Sequence, residues 1–167
     1  MADIYRPEQR HDLFLLVGTG SVTLTGLIFV ALTIHLRSIT QDIVHRSRAL
    51  SSLTGLTAIF LQCSLALLPE QSHQKLGIEL LVLSVIPLLV FLWGVLRTYR
   101  SDNHSITYSP PRAIAGAVLY LIEITGSTIF IFGQISGLYI AIFGIVTNIF
   151  FIVSGAWLLV VGPVTKS

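Results

Sequence analysis

The chain has 167 residues, 53% of them hydrophobic and only 11% charged, with a net charge of +2 and a mean hydropathy of +0.83. A soluble domain carries about 25% charged residues, so this chain lacks the polar surface that a water-facing globule needs. Its single cysteine, Cys63, excludes an intrachain disulfide. The basic residues flank apolar blocks and form no patch, which argues against nucleic-acid binding.

Five apolar blocks follow one another: about residues 13–36, 49–68, 76–96, 113–132 and 138–161. Each is about 20 residues or longer, enough to cross a bilayer as a helix. The first block is too long for a cleaved signal peptide and lacks a small-residue cleavage pattern. Pro69 ends the second, and the polar segment 70–74 reads as a short turn. Pro87 predicts a kink in the third. Segment 109–111, Ser-Pro-Pro, precedes the fourth, with Pro111 near a plausible first helical turn, and segment 133–137 predicts a tight hairpin into the fifth. The expected fold is one all-α integral membrane domain over residues 1–167, with five transmembrane helices.

Lys and Arg placement predicts the orientation. Arg37, Arg46, Arg48, Arg97, Arg100, Arg112 and Lys166 fall on one side, and Arg6, Arg10 and Lys75 on the other, seven against three. The N-terminus is therefore expected outside and the C-terminus in the cytoplasm. Glu70 and Glu79 fall on the outer side, where they mark the candidate outer mouth of any cation path.

Small and polar residues recur at helical spacing, which puts each set on one face. The first span has Thr19, Thr23, Gly26, Val30 and Thr33, and the second Ser51, Gly55, Ala58, Gln62 and Ala66. The fourth has Gly116, Tyr120, Glu123, Ser127 and Gln134, and the fifth Gly137, Ala141, Gly144, Asn148, Phe151 and Gly155. Such stripes let helix backbones approach and hydrogen-bond; equally, one polar stripe can line a pathway.

Glu123 is the sharpest feature. A carboxyl group at the middle of a span is costly and needs a partner or water. By a rise of about 1.5 Å per residue, Glu123 and Asn148 fall at one depth on adjacent antiparallel spans, with Thr23 near that level and Gln62 somewhat outward. An amide donates to a carboxylate or accepts from a carboxylic acid, so Asn148 is the expected partner. The candidate ion pathway or polar clasp is Glu123, Asn148, Gln62, Thr23, Tyr120, Ser127 and Gln134.

Other chemistry lacks the necessary pattern. His11, His35, His45, His73 and His104 have no paired spacing for a metal site, and no nucleophile or phosphate-loop motif occurs. No catalytic residue, metal or cofactor is expected. Trp93, Tyr99, Tyr139 and Trp157 sit near span ends, as an aromatic belt does.

Segment 12–37, DLFLLVGTGSVTLTGLIFVALTIHLR, followed by LLPEQS at 67–72 and LGIELL at 76–81, resembles a large family of small bacterial membrane proteins. Those open with an acidic-aromatic pair and a small-residue helix ending Gly-Leu-x-Phe-Val-Ala-Leu-Ser-Ile. The resemblance covers roughly the first three spans, and it departs at His35, where members often have Asn. It implies a bacterial inner-membrane protein, of a kind sometimes labelled a modulator of a membrane-bound ATP-dependent protease. It carries over no catalytic residue.

Two functions are expected from these readings. One is a homo-oligomer that conducts a monovalent cation or protons. The alternative is a non-enzymatic adaptor or accessory subunit acting on a membrane partner.

Overall fold

The computed structural model describes residues 7–34, 43–69, 71–100 and 110–161, with side chains described over 11–34, 46–69, 71–100 and 110–157. The described residues form five α-helices: α1 (Pro7–Ile34), α2 (Ile43–Ala66), α3 (His73–Arg100), α4 (Pro110–Ile131) and α5 (Ile135–Val161). All five are long and apolar enough to cross a membrane.

The helix ends follow from local chemistry. Pro7 and Pro110 occupy first positions, where a missing N–H is harmless. Ser72 caps α3 by accepting the Lys75 N–H on its hydroxyl at 3.3 Å. The break between α4 and α5 is shorter than the sequence suggests. It spans residues 132–134, with Gly133 at φ 81°, the left-handed conformation that ends helices. Helix α3 runs unbroken through Pro87, which is buried inside it.

Helices α2, α3, α4 and α5 close a ring, each packing on the next and α5 returning to α2. Helix α1 lies outside, mainly against α2 with a smaller contact to α5. Burial shows the difference: 22% of the apolar window of α1 is buried, against 44% for α2. The core joins Leu56, Ile59 and Cys63 of α2 to Leu80, Phe130, Leu138, Ile145 and Ile152. The outer surface is apolar, with Leu16 at 75% and Phe150 at 79% exposure; a bilayer covers such a surface.

Glycines set the spacing of the α4–α5 pair. A methyl group on Gly126 would strike the backbone of Ala141, and one on Gly137 the backbone of Phe130. One on Gly144 would lie 3.0 Å from the Cα, Cβ and N atoms of Glu123. The two backbones touch along this face, which only glycine permits.

The stripes on α2, α4 and α5 face inward, apart from Gln134. The α1 stripe does not. Thr19, Thr23, Gly26, Val30 and Thr33 are all exposed, and α1 packs instead through Phe14, Gly18, Ser21 and Ile28. Gly18 lets α1 sit against Cys63, while most large apolar residues of α1, among them Leu16, Leu27 and Phe29, face outward. Arg48 and Arg112, two of the charges that set the expected orientation, lie within α2 and α4, and Arg48 is buried.

Candidate functional site

Each helix of the ring contributes a polar side chain to one cluster at its centre. Glu123 of α4 is 2% exposed, and Gln62 of α2, Ser84 of α3 and Asn148 of α5 are each 0% exposed. Gln62 Nε2 donates to Glu123 Oε1 at 2.6 Å and also reaches Ser84 Oγ at 3.1 Å and the Leu80 carbonyl at 3.3 Å. The Ser84 hydroxyl lies 2.6 Å from Glu123 Oε1 and 2.7 Å from the Leu80 carbonyl. Asn148 Nδ2 donates to Glu123 Oε2 at 3.5 Å, a long bond.

The carboxyl group thus meets three neutral partners from three helices. Its strongest contacts are on Oε1, while Oε2 is lightly held. Two acceptors beside it, Gln62 Oε1 and Asn148 Oδ1, are buried with no hydrogen-bond partner among the described residues. A buried polar atom without a partner is costly, so the cluster has spare acceptor capacity.

The other predicted site residues divide. Tyr120 is buried and places its hydroxyl beside the Asn148 amide. Ser127 is buried on the same face, and its hydroxyl donates to the Glu123 backbone carbonyl at 2.9 Å. It supports the helix at Glu123 and does not reach the carboxyl group.

Thr23 is exposed, donates to the Thr19 carbonyl at 2.9 Å, and lines a cleft between α1 and α2 with Phe60 and Cys63. It is not part of the cluster, because α1 stands outside the ring. Gln134 is exposed in the α4–α5 turn. The helix ends at Ile131, so the helical spacing that grouped Gln134 with Glu123 does not extend to it. Glu79 is half-buried and accepts from Gln71 Nε2 at 2.9 Å; Glu70 lies outside the described residues. Arg6, Arg37, Lys166, His35 and His104 also lie outside them.

Ser84 is the residue that sequence reading missed. Its signal was present: it is the one hydroxyl in the 76–96 block and sits near the middle of α3. Among the described residues, no group of three or more His, Cys, Asp and Glu side chains is placed to hold a metal.

A second polar region lies where α2 and α4 begin and α3 and α5 end. A cavity of about 40 Å³ there is lined by Arg48, Ser51, Ser52, Arg112, Tyr120 and Phe151, among others. Arg112 donates to Ser154 Oγ at 3.0 Å and lies 5.1 Å from the Phe151 ring centre. Tyr120 is common to both regions: it lines this cavity and adjoins Asn148.

No protein-family model, curated protein or solved structure matches this chain.

Proposed function

We propose that this multi-pass membrane protein conducts protons, as a homo-oligomer, with Glu123 as the titratable control point. The observation that carries the reading is a carboxyl group at the centre of a four-helix ring whose partners are all neutral. Packing alone does not call for it, because glycines already bring α4 and α5 together.

The partner chemistry favours the proton over a metal cation such as Na⁺ or K⁺. Two amide N–H groups point at the carboxyl oxygens, and their positive ends repel a metal ion there. A proton fits the hydrogen count. Ser84 has one hydrogen and two acceptors within 2.7 Å, Glu123 Oε1 and the Leu80 carbonyl. A proton on Oε1 supplies the missing hydrogen: Glu123 donates to Ser84, and Ser84 donates to Leu80. Loss of that proton requires only hydrogens to rearrange.

The site is interior to a single subunit, so the path runs through each bundle and not along an oligomer axis. The exposed small stripe on α1, where Gly20 and Gly26 have open space around them, offers the association surface. Arg48 and Arg112 beside Tyr120 oppose cation entry from that end, so flux is expected to be slow.

Liposomes carrying wild-type protein should dissipate an imposed proton gradient, and Glu123→Gln should slow this or change its pH dependence. Vesicles that remain tight to H⁺ at neutral and acidic pH would overturn conduction. The dense packing of the cluster favours that second reading: a rigid, non-enzymatic adaptor or accessory subunit held by a polar clasp. It also agrees with the resemblance to bacterial inner-membrane proteins.

Orientation belongs to the same proposal. With the basic end in the cytoplasm, an impermeant thiol reagent applied outside should label Ser72→Cys and miss Ser105→Cys. The native Cys63, at 1% exposure, adds little background. The reverse labelling pattern would invert the assignment.

A further inference from the structure

The cavity at the basic end holds two arginines within one small space, and proton conduction uses neither. Arg48 is 6% exposed and Arg112 half-buried, and both line it. Ser51 and Ser52 line it too. The Ser51 hydroxyl is buried and has no hydrogen-bond partner among the described residues. Phe91, Ala113, Phe151, Ile152 and Gly155 complete the wall. Guanidinium forks and hydroxyl donors over an apolar wall are complementary to an oxyanion with a hydrocarbon attached.

The level in the membrane agrees. Arg48 lies near the start of the second candidate span (Arg46–Ala66), Arg112 near the start of the fourth (Pro110–Ile131), and Gly155 near the end of the fifth (Ile135–Trp157). Trp93, Tyr99 and Trp157 stand exposed toward the same end, at 50%, 55% and 68%. Such aromatic side chains sit at headgroup depth. Basic pockets between helices at that depth hold lipid headgroups. By the volume one water needs, about 40 Å³ has room for about three water-sized groups. That suits the oxygens of one phosphate better than a whole headgroup.

We infer that this cavity binds the phosphate of an anionic membrane lipid, with Arg48, Arg112 and Ser51 on the oxygens and the acyl chains running outward past the apolar wall. The ligand chemistry is that of a phosphate oxyanion. Lipid is assigned as its source because of the headgroup depth and the apolar wall. The assignment is independent of whether the protein conducts protons.

The test uses the full-length protein purified in a neutral detergent, with phosphatidylglycerol and phosphatidylcholine offered together and retained lipid read by native mass spectrometry. Phosphatidylglycerol should be retained in clear preference. Arg112→Gln should lower that preference by about fivefold, the effect of one interfacial charge. Arg100→Gln, which removes an exposed arginine at the same end, should change it little. Gly155→Leu keeps both arginines but fills the space beside Arg112, where an added Cβ already comes within 3.4 Å of its Nη2 atom; it should also abolish the preference. Equal retention of the two lipids by wild-type protein would overturn the site. So would equal losses in the Arg112 and Arg100 variants. Displacement of the lipid by millimolar inorganic phosphate would overturn the lipid assignment in favour of a free-anion site.

Discussion

Glu123 and Arg48 are both almost wholly buried, at 2% and 6% exposure, yet their surroundings differ in kind. Glu123 sits where four helices meet, and its partners are an amide, a hydroxyl and a second amide, each from a different helix. Arg48 lines a cavity near the helix ends, beside a second arginine. The first site is closed by contact between backbones. The second has Tyr120 in its lining and lies toward the ends of the helices. Burial alone therefore does not indicate what a charged group does. The carboxyl group is surrounded by the protein's own dipoles, whereas the guanidinium groups border space that a ligand can enter.

The largest effect should come from breaking the closure of the first site. Gly126→Leu drives a side chain into the backbone of Ala141. A flexible neighbour could move aside; a helix backbone cannot. Overpacking costs about 1–3 kcal/mol where side chains yield, and here the cost should reach or exceed the upper end. The variant should fail to give a monodisperse species by size-exclusion chromatography, or should unfold at much lower temperature than wild type. Wild-type behaviour would show that α4 and α5 are not held in backbone contact at this level.

Next is the hub itself. Gln62→Leu removes the 2.6 Å donor to Glu123 and the bridge to Ser84 and Leu80. Interhelical hydrogen bonds in membranes contribute about 0.6 kcal/mol on average and at most about 1.7, and Gln62 should lie near the maximum. The double variant Gln62→Leu with Glu123→Leu should recover part of the loss, because no acid is then left short of a donor. Strict additivity in a denaturant series would show the two side chains to be uncoupled.

Ser84→Ala is smaller, at about 0.6 kcal/mol, since one hydroxyl is lost and Gln62 still holds Oε1. The same measurement detects it as a modest shift in midpoint. Ser84 also illustrates what could be read from the sequence. The five spans were legible because apolar block length responds directly to bilayer thickness. Glu123 stood out because a mid-span acid is rare, and Asn148 followed from equal depth on a hairpin. Depth, however, fixes only one coordinate. Thr23 has the right level and the wrong side, because whether α1 joins the ring depends on packing among distant segments. Gln134 shared a face only while the helix was assumed to continue past Ile131. Gln62 lies somewhat outward by depth, and its long side chain covers that offset to make the shorter of the two amide contacts to Glu123. In the sequence Arg48 and Arg112 bear only on orientation; their shared cavity depends on how α2, α4 and α5 approach one another, which no local pattern encodes.

The smallest expected effect separates the two sites most sharply. Ser51 and Ser84 are both buried serines facing the interior of the bundle. Ser84 lies within 2.7 Å of two acceptors, whereas the Ser51 hydroxyl has no partner among the described residues. Removing a hydroxyl that bonds nothing relieves a desolvation cost and loses no hydrogen bond. In neutral detergent, Ser51→Ala should therefore change stability by less than about 0.5 kcal/mol, in either direction. Added phosphatidylglycerol supplies the missing acceptor. Wild-type protein should then gain thermal stability by linkage, since a ligand that binds only the folded state raises Tm, and Ser51→Ala should gain less. Ser84→Ala should show the opposite pattern, destabilised in detergent but responding to the lipid as wild type does. Identical lipid responses in all three proteins would remove Ser51 from the anion site and leave its hydroxyl as a packing feature of α2.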